Sequence, residues 1–220
     1  MSKLDIDLLD RITVGDAREI CKRIPDESIG LIVCDPVYWE YWQYAWLGEL
    51  AHRVLIPGRS VIAQVGDAHR LAAEVAFQHL GMVGCPLIHE EMRGGIKQLW
   101  DSRTLCYVKP YIRMMKPGAS TGWMPNYVKG QGRDKRFHEW GDTPAVFTMA
   151  IERLTEPGDV VLDPFTGSGT VPAAAIVLGR RYIGIEIDPE RAETARKRLE
   201  GIKPLFTTTT QLELGVADER

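Results

Sequence analysis

Two apolar runs in this chain each end in an Asp-Pro pair, and that arrangement restricts the fold more than any other feature. Ile29 to Cys34 leads into Asp35-Pro36-Val37-Tyr38-Trp39, and Val160 to Leu162 leads into Asp163-Pro164-Phe165-Thr166-Gly167-Ser168-Gly169-Thr170. A run with no apolar/polar alternation reads as a strand buried on both faces, as in parallel sheets covered by helices. In such sheets ligands gather where loops leave the carboxyl ends of the strands. Both Asp-Pro loops are therefore expected at one ligand-binding edge.

The rest of the pattern agrees. Strands are expected at Ile12 to Val14, Ile29 to Cys34, Ser60 to Val65, around Met82 to Glu90, Val160 to Leu162 and Tyr182 to Ile187. Helices are expected at Ala17 to Arg23, near Tyr44 to Leu55, Ala68 to Leu80, about Pro144 to Leu154, Thr170 to Leu178 and Pro189 to Leu199. Leu105 to Val108 and Tyr111 to Met115 read as one interrupted strand or two short ones, and Ala119 to Asp142 as loop. The alternation implies an α/β fold of three layers, a mostly parallel, doubly wound sheet covered on both faces. Its 220 residues suit a single domain, 1–220, with 207–220 as a mobile tail.

No run approaches the roughly 18 apolar residues of a membrane span. Asp5, Asp7 and Asp10 stand where a signal peptide would be basic and then apolar, so a cytoplasmic protein without membrane contact is expected. Cys21, Cys34, Cys85 and Cys106 are scattered, without zinc-site spacing; they read as reduced core or near-core residues, and no metal is expected.

The net charge of −3 hides an uneven distribution. Between Arg93 and Arg136 ten basic residues face two acids, Asp101 and Asp134, so this segment carries +8 and the remainder −11. Trp100, Tyr107, Tyr111, Trp123 and Tyr127 interleave with the charges. A basic, aromatic-rich insert on an acidic body suits contact with phosphates, although a solvated surface with core aromatics has the same composition.

Gly167 and Gly169 allow a sharp turn and close approach of backbone to ligand, and the helix that follows offers free amides to a carboxylate. The loop lacks the Gly-Lys-Ser/Thr ending of a triphosphate-binding loop and the Gly-x-Gly-x-x-Gly spacing of a dehydrogenase. Glu186, about twenty residues on at the end of the next strand, is placed to accept from both hydroxyls of a ribose.

Gly158-Asp-Val-Val-Leu-Asp-Pro-Phe-Thr-Gly-Ser-Gly-Thr170, followed by Gly179-Arg-Arg-Tyr-Ile-Gly-Ile-Glu-Ile-Asp-Pro-Glu190, resembles the S-adenosylmethionine site of the amino-methylating (N-4 cytosine/N-6 adenine) DNA methyltransferases. Val14-Gly15-Asp16, Ile24-Pro25-Asp26 and the run into Asp35-Pro36-Val37-Tyr38-Trp39 are similar to that family's catalytic segment. Catalytic motif first, basic insert second and cofactor motif last matches the family's beta-type order. The resemblance covers nearly the whole chain outside the insert and the tail.

The resemblance implies a Rossmann-like fold and a site-specific enzyme that methylates the exocyclic amine of a base flipped out of double-stranded DNA. Asp35 and the Pro36 carbonyl would accept from the amine, with Val37 and Tyr38 completing the catalytic loop and Tyr38, or Trp39, stacking on the base. Asp35, Asp163, Pro164, Phe165, Thr166, Gly167, Ser168, Gly169, Thr170, Glu186, Ile187 and Thr143 would hold the cofactor. Asp16 would either join them or cap the helix at Ala17. Trp39, Lys129, Arg133, Lys135 and Arg136 are assigned to DNA, within an expected target-recognition insert at 93–142. His138 and Trp140 suit either DNA or cofactor contact, or a plain loop.

In this family Asp at position 35 leans toward adenine and Ser toward cytosine, so adenine is favoured, with cytosine amine or an RNA base as alternatives. No Cys follows a Pro in the way carbon methylation of cytosine requires; the order is Cys34-Asp35-Pro36 and Cys85-Pro86. Two positions depart from the family pattern. Val37 replaces a second proline, which frees one φ angle and adds an N–H, so a slower site is expected, with Val37→Pro holding or raising turnover. Thr143-Pro144 replaces the common Lys-Pro. A nucleic-acid-binding protein that keeps the fold but has lost turnover is the alternative of another class. The short insert suggests a short recognition sequence and a homodimer as one way to cover both strands. A solitary bacterial or phage enzyme and one half of a restriction system fit equally, and no restriction partner can be inferred.

Overall fold

The computed structural model describes residues 7–36, 41–66, 69–92, 97–99, 104–120, 122–130 and 145–205. β1 (Arg11–Val14) leads through α1 (Ala17–Ile20) and a 3-10 turn (Cys21–Arg23) to β2 (Ile29–Cys34). Next come α2 (Tyr41–Val54), β3 (Leu55–Gln64) and α3 (Arg70–His79). Short strands β4 (Val83–Gly84), β5 (Ile88–Glu91), β6 (Lys97–Leu99) and β7 (Thr104–Cys106) precede the longer β8 (Val108–Met115) and β9 (Tyr127–Val128). The remaining described elements are α4 (Ala145–Leu154), β10 (Val160–Asp163), α5 (Thr170–Val177), β11 (Arg181–Glu186) and α6 (Pro189–Leu199).

The main sheet runs β1-β11-β10-β2-β3-β8-β5-β9, with β4 also paired to β8. The first five strands are parallel. Antiparallel β8 extends them, and β4 and β5 pair antiparallel with it. β2 is buried at every position because helices cover both of its faces. Ile32 and Cys34 join the core made with Leu47, Ala51 and Phe77 of α2 and α3. Leu31 and Val33, on the opposite face, join Phe147, Ile151, Ala174 and Ala195 of α4, α5 and α6.

This layering creates the site. From β2 the chain crosses through α2 to β3 on one side, and from β10 through α5 to β11 on the other. The two directions part between β10 and β2, which are neighbours paired at Val161–Leu31 and Leu162–Ile32. A crevice opens at the carboxyl ends of strands at such a switch point, and Asp35 and Asp163 both stand at it.

Several expectations require correction. The strand around Met82 to Glu90 is two strands, β4 and β5, interrupted at Cys85-Pro86, where proline removes a ladder donor. Leu105 and Cys106 belong to a separate hairpin, β6–β7, while β8 starts at Val108 and runs through Pro110. The stretch read as loop from Ala119 contains β9, which pairs parallel with β5 through His89–Tyr127 and Glu90–Val128. β3 starts five residues earlier than expected, passing through Pro57 and Gly58. Residues 131–142 and the 207–220 tail lie outside the described residues. The four cysteines are free, with Cys21 and Cys34 buried. No helix among the described residues is long and apolar enough to cross a membrane.

Candidate active site

The loop after β10 is built by its own side chains. The Phe165 amide donates to Asp163 Oδ1 at 3.1 Å, Thr166 Oγ1 donates to the Asp163 carbonyl at 3.0 Å, and the Thr166 amide donates to the Ile185 carbonyl at 2.9 Å. At Gly169, the residue before α5, φ is +81°, and an added Cβ would stand 3.0 Å from the Ala195 Cβ of α6. Glycine is required there by conformation and by space together. Glu186, buried at the end of β11, accepts from the Gly167 amide at 2.7 Å and from the Asp188 amide at 3.0 Å. The Gly15 amide donates to its carbonyl at 2.9 Å, which joins the turn after β1 to the same edge.

These elements enclose a cavity of about 630 Å³. Four carboxylates line it: Asp16, Asp35, Asp163 and Glu186. Apolar walls come from Trp42 and Trp46 on α2, Phe165, Phe147 and Ile187. Trp46 meets Phe165 edge to face, with ring centroids 5.9 Å apart. Asp163 is 3% exposed, and burial pushes its carboxyl up to about 8; the Phe165 amide opposes that rise, and the Asp35 and Glu186 charges add to it. An acidic, partly apolar cavity beside the amino end of a helix suits a ligand carrying positive charge, an aromatic ring and a carboxylate.

Asp16 does cap α1, accepting from the Arg18 amide at 2.8 Å. Its oxygens are also held by the Arg18 side chain, from Nε at 3.1 Å to each and from Nη2 at 2.5 Å, which keeps the carboxyl below its usual range. Arg18 lies 4.9 Å from the centroid of the Trp42 ring, so it connects the two walls of the cavity.

Of the residues singled out in the sequence, Asp16, Asp35, Asp163, Pro164, Phe165, Thr166, Gly167, Ser168, Thr170, Glu186 and Ile187 line this cavity together. Gly169 supports them from the N-cap of α5, and buried Pro36 follows Asp35. Val37, Tyr38, Trp39, Arg133, Lys135, Arg136, His138, Trp140 and Thr143 lie outside the described residues. Lys129 is exposed just after β9, at the far edge of the sheet from β10, and does not meet the cavity.

Sequence reasoning missed Arg18, Trp42, Gln43, Trp46, Phe147 and Arg191, all in the cavity wall. Trp42 and Trp46 had a signal, since residues four apart share one helix face. Among the described residues no cluster of His, Cys, Asp or Glu could hold a metal ion.

A family model described as DNA methylase matches residues 116–197. The type II methyltransferase M.HinfI of Haemophilus influenzae is 44% identical over 253 aligned positions, which cover 90% of this chain and 70% of that protein. TTHA0409 of Thermus thermophilus, solved in complex with S-adenosyl-L-methionine, is 26% identical with a TM-score of 0.66, covering 89% of this chain and 95% of that one. The cytosine-N4-specific PvuII DNA methyltransferase shares the fold, with a TM-score of 0.72 at 17% identity and 85% of each chain covered.

Proposed function

This chain belongs to the amino-methylating DNA methyltransferase family, and we propose that within it the enzyme methylates the exocyclic amine of an adenine flipped out of double-stranded DNA. Its cofactor is S-adenosylmethionine, which supplies an electrophilic sulfonium methyl. The observation that carries the reading is the convergence of Asp35 and Asp163 at the switch point between β2 and β10, on one cavity.

The residues present fit that cofactor. Asp163 and its acidic neighbours face a cation, and the amides opening α5, with Ser168 and Thr170, face a carboxylate. Glu186 keeps lone pairs for ribose hydroxyls beyond those used by Gly167 and Asp188. Trp46, Phe165 and Ile187 offer apolar surface to the adenine ring. Asp16, which lines the cavity, would accept from the adenine amine of the cofactor with a lone pair not taken by Arg18.

An aromatic amine is a poor nucleophile because its lone pair is delocalised into the ring. Asp35 and the Pro36 carbonyl, drawing on its two protons, favour a pyramidal nitrogen whose lone pair can attack. Asp35 stands at the cavity edge, so the amine it holds would be presented to the cofactor cavity; positioning supplies much of the rate, and no covalent enzyme intermediate is needed. Tyr38, with Trp39, stacks on the flipped base. Val37 leaves the Pro36 carbonyl in place.

The basic insert supports DNA as the substrate. Only its first part is carried by β5 and β8 beyond the carboxyl end of the parallel strands, where the Met92 amide donates to the Tyr107 carbonyl at 2.8 Å below the β6–β7 hairpin. β8 itself is a strand of the main sheet, with Arg113 buried against Ser60, and Lys116 pairs with Glu27 at the opposite end. The hairpin thus rises from the same end of the sheet as the cavity. Within 93–142, the β6–β7 hairpin and the stretch after β9 are the target-recognition region, with Lys129, Arg133, Lys135 and Arg136 on phosphates, while β8 belongs to the sheet; a homodimer covers both strands of a short site.

Mass spectrometry of nucleosides from unmethylated DNA, incubated with the protein and S-adenosylmethionine, tests the reading. N6-methyladenine is the expected product. N4-methylcytosine would overturn the base while keeping the chemistry, and cofactor binding with no product on varied DNA or RNA would favour a fold that has lost turnover.

A further inference from the structure

Behind the glycine loop stands a buried cation. Arg198 on α6 is 8% exposed, and its Nη1 donates to the Ser168 carbonyl at 3.1 Å, to Ser168 Oγ at 3.1 Å and to Thr170 Oγ1 at 2.8 Å. Its Nε is buried and meets no acceptor among the described residues. Burial lowers its pKa, and no ion pair joins it to an acidic group among the described residues. A guanidinium that is nine-tenths buried without a carboxylate is costly unless an anion compensates it.

The donor pattern indicates where that anion sits. Arginine only donates, so each hydroxyl that accepts from Nη1 turns a lone pair toward α6 and its own proton away. Ser168 Oγ and Thr170 Oγ1 are 3.4 Å apart, so at most one of the two protons is used between them. The other is left for the cavity, which both residues line. The free amides at the start of α5 open on the same side. Two hydroxyls, a helix terminus and a buried cation thus converge on one small region suited to a negative charge.

We propose that Arg198 is a positioning residue for the cofactor: it holds the Ser168 and Thr170 hydroxyls as donors toward the carboxylate of S-adenosylmethionine and supplies the charge behind them. The proposal rests on the cofactor assignment above. It separates Arg198 from Arg196 and Lys197 beside it, which lie on the exposed side of α6 with Glu193.

Isothermal titration of wild type and Arg198→Met with two ligands tests it: S-adenosylmethionine, and its decarboxylated form, which lacks only the carboxylate. The substitution should weaken S-adenosylmethionine by about tenfold or more while changing the decarboxylated ligand by no more than about twofold. In a Ser168→Ala/Thr170→Val background the same substitution should cost less than about threefold, because the groups act as a unit. Equal losses for both ligands would mean that Arg198 only braces the loop, and an unchanged affinity for S-adenosylmethionine would also overturn the proposal. Arg198→Gln, which removes the charge and keeps a polar side chain, provides the same comparison should Arg198→Met not fold. If the wild-type chain bound neither ligand, the cofactor assignment itself would fall, a result distinct from equal losses in the variant.

Discussion

The Gly167 amide donates to Glu186 Oε2 at 2.7 Å, so the carboxylate ending β11 holds the glycine loop that leaves β10. Its second oxygen takes the amide of Asp188, the N-cap of α6, at 3.0 Å. One side chain therefore fixes two loops of the cofactor cavity. Glu186→Ala should cost about 1–3 kcal/mol of stability and weaken S-adenosylmethionine by about ten- to a hundredfold. Glu186→Gln should fall between, since one of the two amides would then face an NH₂ donor. Thermal melts and cofactor titration check both variants.

Asp163 sets a pH dependence. Its folded-state pKa is raised from 3.8 to about 8, chiefly by burial. Its contribution to stability is therefore fully present below about pH 4, is lost as pH rises toward 8, and changes no further above that. A cationic ligand favours the ionised form, so cofactor affinity should rise with pH to about 8 and binding should release a proton below it. Titration calorimetry in two buffers of different ionisation heat measures that proton. Asp163→Asn should abolish the release.

Gly169 offers a steric test. Alanine there would adopt φ near +81° and press its Cβ to within 3.0 Å of Ala195 Cβ. Gly169→Ala should lose about 1–2 kcal/mol and weaken the cofactor. Denaturant unfolding gives the first quantity and equilibrium titration the second. Gly158→Ala, at φ +87° with no atom within 4 Å, controls for conformation without crowding.

Glu90 joins the antiparallel extension to the helix that follows the insert. It is buried on β5, accepts from the Tyr111 hydroxyl at 2.7 Å and receives the Ala145 amide, the first of α4, at 2.6 Å. A carboxylate at a helix amino end is favourable, and here it is also a partner for a buried phenol. Glu90→Ala should cost about 2–3 kcal/mol, and Tyr111→Phe less, because Phe keeps the edge-to-face contact with Phe147. Chemical denaturation of the two variants ranks them.

Most of the parallel half of this fold could be read from the sequence. β2 and α6 lie where they were expected because each carries its own boundaries: an apolar run closed by Asp35, and Asp188-Pro189 capping a periodic helix. The glycine loop and Glu186 were legible for the same reason, being local motifs at strand ends. β4, β6, β7 and β9 were not, since two- or three-residue strands have too little periodicity to register and owe their existence to distant partners. Arg198 was hidden in the run Arg196-Lys197-Arg198, where three cations look alike until packing buries one. Arg18 was hidden likewise, because its partner Trp42 lies on a different element.

Asp35 carries the central claim, and the sharpest test is methyl transfer to DNA by Asp35→Ala beside its cofactor affinity. If Asp35 holds the target amine, transfer of labelled methyl from S-adenosylmethionine to adenine should fall by about a thousandfold or more while cofactor affinity changes by about tenfold or less. Transfer by Asp35→Ala at near the wild-type rate would contradict the account, because the acceptor that prepares the amine would then lie elsewhere.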